Sequence, residues 1–265
     1  MIDIDEIKKQ MKAKWMGKEI LFFEETESTN VEAGALAGKG AKHGTLVVTD
    51  SQTGGKGRRG RVWHTSPNTS IAMSYILKPQ LEAEYASMLT LVQAMAVAKT
   101  IEEVCGLETR IKWPNDILVN EKKVCGILTE MNLDGSNIAS VIIGTGINVN
   151  QEEFPMDIIG LATSLKRESK ELQCREKIIA VVCEKFEFYY DKFVKCKDLS
   201  FMAEEYNNRL ISVGRRVNVL DPKGEFAGEA LGINLRGELM VRTEKEEVVH
   251  VYAGEVSVRG IYGYV

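Results

Sequence analysis

Histidine and cysteine are scarce in this chain and poorly spaced for chemistry. There are three histidines in 265 residues, and the five cysteines (Cys105, Cys125, Cys174, Cys183, Cys196) make an odd set without a CxxC pair. That excludes a zinc cage and a disulfide framework, and it fits free thiols in a reducing cytoplasm. No apolar run reaches the roughly 18 residues that a membrane helix needs. The opening MIDIDEIKKQMK is amphipathic and carries acidic residues, unlike a secretory or transit peptide. A basic excess is missing too: 34 Lys and Arg face 38 Asp and Glu, so a net charge of −4 gives no global reason to bind nucleic acid. What remains, 44% apolar and 27% charged residues, is ordinary for a soluble globular protein. The length suits one large domain, or one of about 200 residues with a small partner.

Against this background one stretch stands out. Gly54-Gly55-Lys56-Gly57-Arg58-Arg59-Gly60-Arg61 holds four glycines and four cations and no carboxylate. Glycine lets a backbone approach a ligand and take positive φ, while lysine and arginine suit phosphate. The stretch reads as an anion-binding loop, mobile by self-repulsion until a ligand orders it.

Around it the pattern predicts an α+β fold. Residues 3–14 read as a short helix and 20–23 as a strand. Ser28 or Thr29 caps an alanine-rich helix over 31–37, with Glu32 in its first turn. Thr45–Asp50 is a strand running into the glycine-cation loop, and Ser70–Leu77 is the next. Residues 85–104 carry helical apolar spacing. Strands follow at 109–119, 122–132 and 137–149, joined by hairpin signals at Asn120-Glu121 and Asp134-Gly135-Ser136. Such hairpins make the central sheet mixed or antiparallel, with helices segregated to one side. Residues 175–194 and 198–210 are further helices. From Gly214 short strands at 215–220, 226–233, 238–243 and 247–258 form an SH3-like β-barrel. The expected domains are 1–212 and 213–265.

Familiar nucleotide motifs fail. Gly55, Gly57 and Gly60 spell GxGxxG, but a strand follows where a dinucleotide site needs a helix. No HRD or DFG follows for a kinase, and no segment supplies a Walker A loop. Three other clusters carry polar groups at suggestive positions. Lys112-Trp113-Pro114-Asn115-Asp116 interrupts a strand at a proline that cannot donate to a ladder. Lys122-Lys123 stands at a hairpin before Gly126, and Gly144-Thr145-Gly146 ends a buried strand where something approaches the backbone closely. Trp63 suits a purine stack or the core equally. With cations but no nucleophile set, no paired acids and no metal cage, catalysis here would be positioning plus electrostatic stabilisation of phosphate charge.

In combination, ESTN (27–30), TDSQTGGKGRRGRVW (49–63), KWPNDILVN (112–120), KVCGILTE (123–130), GTGINVN (144–150) and GEVSVR (254–259) resemble the biotin protein ligases over essentially the whole chain. The resemblance implies the class II synthetase-like catalytic fold of that family with its SH3-like C-terminal domain. It also implies activation of biotin by MgATP to biotinyl-5′-AMP, then transfer to a lysine of a biotin carboxyl carrier domain, with no tightly bound prosthetic group or resident metal. By motif position, Ser28, Thr29 and Asn30 would face biotin, and Gln52 its ureido ring. Lys56, Gly57 and Arg58 would clamp biotin and the phosphoryl group, with Arg59 and Arg61 beside the ATP phosphates. Lys123 would sit by the biotin carboxylate, Gly126 and Gly144 would line the pocket, and Trp63 would cover adenine. Lys112 and Asp116 would support catalysis, Asn148 would touch nucleotide, and Glu255 and Arg259 would bring the small domain to ATP.

The family's usual GRGRRGR reads GKGRRGR here, and Lys56 keeps the charge while losing the bidentate fork. Some members carry an N-terminal winged helix and repress an operon. The 26 residues ahead of ESTN are too few for one, so no sequence-specific DNA binding is expected. Family members are often homodimers through the sheet edge. The alternatives are a lipoate–protein ligase of the same superfamily and, from another class, a non-catalytic nucleic-acid-binding module built on the basic loop.

Overall fold

A computed structural model describes residues 1–221, 224–253 and 257–260. The chain opens with α1 (Ile4–Gln10), capped by Asp3, whose carboxylate accepts from the amides of Asp5 and Glu6. A β-α-β unit follows: β1 (Ile20–Thr26), α2 (Thr29–Gly38) and β2 (Thr45–Gln52), the two strands parallel. Next come β3 (Ser70–Leu77) and α3 (Met88–Cys105), then β4 (Arg110–Lys112), β5 (Asp116–Val119), β6 (Lys122–Asp134) and β7 (Asn137–Asn148). These seven strands form one mixed sheet in the order β1-β2-β3-β7-β6-β5-β4, antiparallel except for the first pair. The predicted 109–119 strand is thus two strands folded back at Trp113-Pro114-Asn115. The β5–β6 hairpin turns on Asn120 and Glu121, both with positive φ (48° and 62°), as a two-residue turn with matching twist requires.

Strand alternation sorts the sheet into two faces. On one, Ile71, Met73, Tyr75, Leu77, Ile143 and Ile147 meet α3, α1 and α5 (Arg175–Cys196) in the main core. Fully buried Tyr75, Phe186 and Phe193 anchor it, each side chain contributing on the order of 2–3 kcal/mol by burial. On the other face Val47, Ile76 and Ile142 are covered by α2 through Ala33. The long helices therefore share one side as expected, and α2 is the exception. Further along that second face the covering helix ends, and the side chains shrink to Ser74, Ala72, Gly144, Gly146 and Gly126, paired across β3, β7 and β6. A cleft opens there.

A buried ion pair ties the N-terminal segment to the sheet. Arg175 Nη1 lies 2.6 Å from Asp50 Oδ1, and Asp50 Oδ2 accepts the amide of Ile2 at 2.9 Å. After α4 (Leu165–Ser169), absent from the sequence reading, come α5 and α6 (Ala203–Arg209). A second sheet follows, with β8 (Arg216–Leu220), β9 (Phe226–Ile233), β10 (Leu239–Thr243), β11 (Val248–Val251) and β12 (Ser257–Gly260) in the order β11-β10-β9-β8-β12, all antiparallel. The segment expected as one strand over 247–258 is two, on opposite edges of this sheet. That crossing carries Arg259 back toward the first sheet.

Candidate active site

A cleft of about 760 Å³ lies on the bare patch of the first sheet. Its floor exists because side chains are missing. Ala72, Gly146 and Gly126 stand in one cross-strand row with Asp116 and Lys112. The ring of Trp63 rests on this floor, and a methyl added at Gly146 would overlap it. A methyl at Gly144 would overlap the side-chain amide of Asn30. Trp63 is therefore a cleft residue and not a core residue. Its Nε1 is buried and has no hydrogen-bond partner.

The glycine-cation loop folds over the mouth as a short hairpin. Trp63 donates its amide to the Gly55 carbonyl (2.9 Å), Lys56 bridges Val62, and Gly57 donates to the Arg61 carbonyl (2.7 Å). A Cβ at Gly55 would strike the Trp63 carbonyl. The tip is a turn of 3₁₀ helix over Arg58–Gly60, with Arg59 at φ 57° and Gly60 at φ 72°. Arg58 points inward, its Nη1 3.1 Å from Asn115 Oδ1 and its Nη2 3.4 Å from the Ala253 carbonyl. Burial pulls its pKa down, opposed by Asp116 and helped by Arg59 and Arg61. Lys56 also borders the cleft and lies 3.7 Å from Glu27 in an exposed pair.

The interrupted strand at Pro114 explains the next cluster. Folding back at 113–115 places Lys112 opposite Asp116, while Trp113 turns into the core and donates from Nε1 to the Gly237 carbonyl at 3.0 Å. Asp116 in turn lies 2.7 Å from Lys123 Nζ. Burial pushes the Lys112 ammonium from 10.5 down to about 8, with Asp116 opposing and Lys123, Arg61 and Arg259 adding like-charge repulsion. Seven cations (Lys56, Arg58, Arg59, Arg61, Lys112, Lys123 and Arg259) thus line a partly desolvated space against three carboxylates, Asp116, Glu153 and Asp157. Such a space is built for a polyanion.

At the far end, polar side chains make a recognition surface. Ser28 occupies the N-cap position of α2 but makes no capping hydrogen bond, which the sequence had offered as its ordinary role. Gln52 Oε1 accepts the amide of Thr29 at 2.9 Å, and its Nε2 donates to Thr65 Oγ1 at 3.2 Å. Asn148 also lines the cleft, yet its amide donates to the Thr163 carbonyl (3.1 Å) and accepts from Gln151 (3.1 Å). Every predicted site residue within the described part of the chain borders this cleft, from Ser28 to Arg259. Glu255 lies outside the described residues.

Sequence reasoning missed part of the wall. Glu153, Phe154, Asp157, Ile158 and Leu161 border the cleft from a loop with no periodicity. This loop is stitched to the lysine strand: Lys123 donates to the Leu161 carbonyl, and Thr163 donates back to the Lys123 carbonyl, both at 2.9 Å. Among the described residues no three His, Cys, Asp or Glu side chains cluster as a metal cage, and none of the described helices is long and apolar enough to cross a membrane. All five cysteines are unpaired.

Residues 22–148 match the model of the biotin/lipoate A/B protein ligase family, and residues 213–259 match that of the biotin protein ligase C-terminal domain. The bifunctional ligase/repressor BirA of Bacillus subtilis (strain 168) is 38% identical over 255 residues, covering 95% of this chain and 77% of that protein. The biotin–[acetyl-CoA-carboxylase] ligase of Mycobacterium tuberculosis is 29% identical over 239 residues, 88% of this chain and 86% of its own. Among solved structures, the biotin protein ligase from Aquifex aeolicus in complex with biotin and ATP superposes with a TM-score of 0.81 at 30% identity, covering 92% of this chain and 99% of that one.

Proposed function

The chain belongs to the biotin protein ligase family, and from that premise we propose how its cleft divides the work. As a ligase of this family it couples biotin to a protein lysine at the expense of ATP. The match to the biotin-type C-terminal domain disfavours the lipoate reading.

In the first step a biotin carboxylate oxygen attacks the α-phosphorus of ATP, and pyrophosphate leaves with the P–O bond electrons. Two anions must approach each other for this to happen. Lys123, held at 2.7 Å from Asp116, meets the carboxylate, and Arg58, Arg59, Arg61, Lys112 and Arg259 hold the phosphates. Mg²⁺ arrives with ATP. In the second step the carrier lysine amine attacks the biotinyl carbonyl, AMP leaves, and an amide bond forms. No enzyme nucleophile is required. Ser28, Thr29, Asn30 and Gln52 take the ureido end, with Lys56 and Gly57 closing above it. Gly126 and Gly144 leave room for the bicyclic ring, Trp63 moves over adenine, and Asn148 and Glu255 contact the nucleotide. The observation that carries this reading is the union of a glycine-floored slot with a convergent cation set in one cleft. The test is biotin-dependent pyrophosphate release from MgATP, with lipoate as the control. Release with lipoate and none with biotin would overturn it.

The carrier is proposed to be a biotin carboxyl carrier domain, as the names of the relatives suggest. A cytoplasmic location fits the unpaired cysteines. Homodimerisation is proposed through the distal half of β6, which pairs on one side with β7 alone beyond Ile127 and exposes Met131 and Leu133. Operator-length DNA should not bind this acidic chain at physiological salt, a reading that a mobility shift with the pure protein would refute.

A further inference from the structure

Behind the recognition surface runs a chain of short hydrogen bonds that begins at an exposed carboxylate and ends in the cleft. Glu130 Oε2, on β6, accepts from Asn30 Nδ2 at 2.6 Å. The Asn30 Nδ2 also reaches the Leu128 carbonyl at 3.3 Å. Asn30 Oδ1 is 2.6 Å from Ser74 Oγ, and Ser74 Oγ is 2.7 Å from Thr29 Oγ1. Ser74 is fully buried, and Thr29 and Asn30 nearly so.

Proton counting along this chain leaves one solution. A carboxylate only accepts, so Asn30 must turn its NH₂ toward Glu130 and its carbonyl oxygen toward Ser74. An amide oxygen only accepts, so at 2.6 Å Ser74 must give it its single hydroxyl proton. Ser74 then has only lone pairs for Thr29, and of the two acceptors that the Thr29 hydroxyl reaches, Ser74 Oγ at 2.7 Å and Gln52 Oε1 at 3.2 Å, the nearer takes its proton. Its proton is thereby turned away from the cleft. What Thr29 presents is a lone pair, and 3.2 Å away stands Gln52 Oε1, which already accepts the Thr29 amide. Two acceptor oxygens side by side with no proton between them are a site for a ligand N–H.

We infer that Glu130 is a positioning residue which, through Asn30 and Ser74, sets the hydroxyl of Thr29 as an obligate acceptor for a ligand N–H. This rests on the proposal that Thr29 and Gln52 face the ureido ring of biotin, whose ring nitrogens carry N–H donors. Glu130 touches no substrate. It acts from the outer surface by fixing the amide orientation of Asn30, and a site polarised in this way rejects isosteres that offer oxygen in place of N–H.

The test compares biotin with its two cyclic carbamate analogues, each with one ring N–H replaced by oxygen, by titration calorimetry and by pyrophosphate release. Wild-type protein should bind one carbamate at least tenfold more weakly than biotin. Glu130→Leu removes the nearer and charged of the two acceptors that orient Asn30, leaving only the Leu128 carbonyl at 3.3 Å, and Ser74→Ala removes the relay. Both should raise KM for biotin severalfold, leave KM for ATP in place and shrink the carbamate discrimination, because the freed Thr29 proton can turn toward a ring oxygen. Glu130→Gln, whose Oε1 still accepts from Asn30, should restore discrimination. If wild type binds biotin and both carbamates alike, the assignment of Thr29 to the ureido ring is wrong. If wild type discriminates and Glu130→Leu discriminates equally, the ureido assignment stands and the relay is refuted. A parallel rise of both KM values with a fall in Tm in both variants would also overturn it, since that is what loss of structure alone produces.

Discussion

With ATP placed as proposed, Lys112 should make its binding sensitive to pH above neutrality, and the size of the effect follows from its surroundings. Burial among Lys123, Arg61 and Arg259 lowers its pKa to about 8 against an ordinary value of 10.5. The sign is that of a cation disfavoured by folding: the unfavourable charge is fully present below pH 8 and is relieved as pH rises through that value. A bound triphosphate reverses the imbalance by placing negative charge among these groups, so the complex takes up a proton that the free protein has lost. With the pKa restored to its ordinary range on binding, uptake at pH 8.5 is about 0.7 proton per site, and affinity falls roughly tenfold from pH 7 to pH 9. Calorimetry of ATP binding in buffers of different ionisation enthalpy reads the proton count directly. Lys112→Met should abolish both the uptake and the pH slope while weakening binding at pH 7. An uptake near zero at pH 8.5 in the wild-type protein would refute the argument.

Other consequences are equally direct. Arg58→Gly removes the inward clamp and its bonds to Asn115 and Ala253, so activated biotin should escape and label bystander lysines, read as biotin on an added unrelated protein. Lys123→Ala leaves Asp116 facing the reacting carboxylate and should slow biotin-dependent pyrophosphate release by at least 10²-fold. Gly144→Ala pushes a methyl into the Asn30 amide and should weaken biotin binding by an order of magnitude or more with little change in ATP binding. Arg175→Met strands the Asp50 carboxylate inside the protein and should cost about 3–5 kcal/mol in urea unfolding.

Much of this site could be read in the sequence because its unusual demands fall in short contiguous runs. A floor without side chains requires glycine at Gly126, Gly144 and Gly146, and a lid that meets phosphate requires Lys56 to Arg61 together. The hairpin at Asn120-Glu121 was legible through its asparagine, which tolerates positive φ, while nothing in Glu121 announced the φ of 62° it adopts. The loop over 152–164 was not, because its cleft residues obey no period and owe their place to two backbone bonds with Lys123. Nor could alternation reveal that 247–258 changes edges, or that α2 takes the face opposite α3 and α5. Ser74 and Glu130 look like ordinary strand residues. Only the distances between them mark the relay. Lys56, the departure from the family's arginine, has a partner in Glu27 at the border of the cleft.

The central claim is that this cleft builds biotinyl-5′-AMP and delivers it to one lysine of a carrier. Mass spectrometry of a biotin carboxyl carrier domain incubated with the protein, biotin and MgATP tests it most directly. The predicted result is the gain of a single biotinyl group on a single lysine, dependent on ATP and lost in Lys123→Ala. A carrier of unchanged mass, or one modified equally without ATP, would contradict the account.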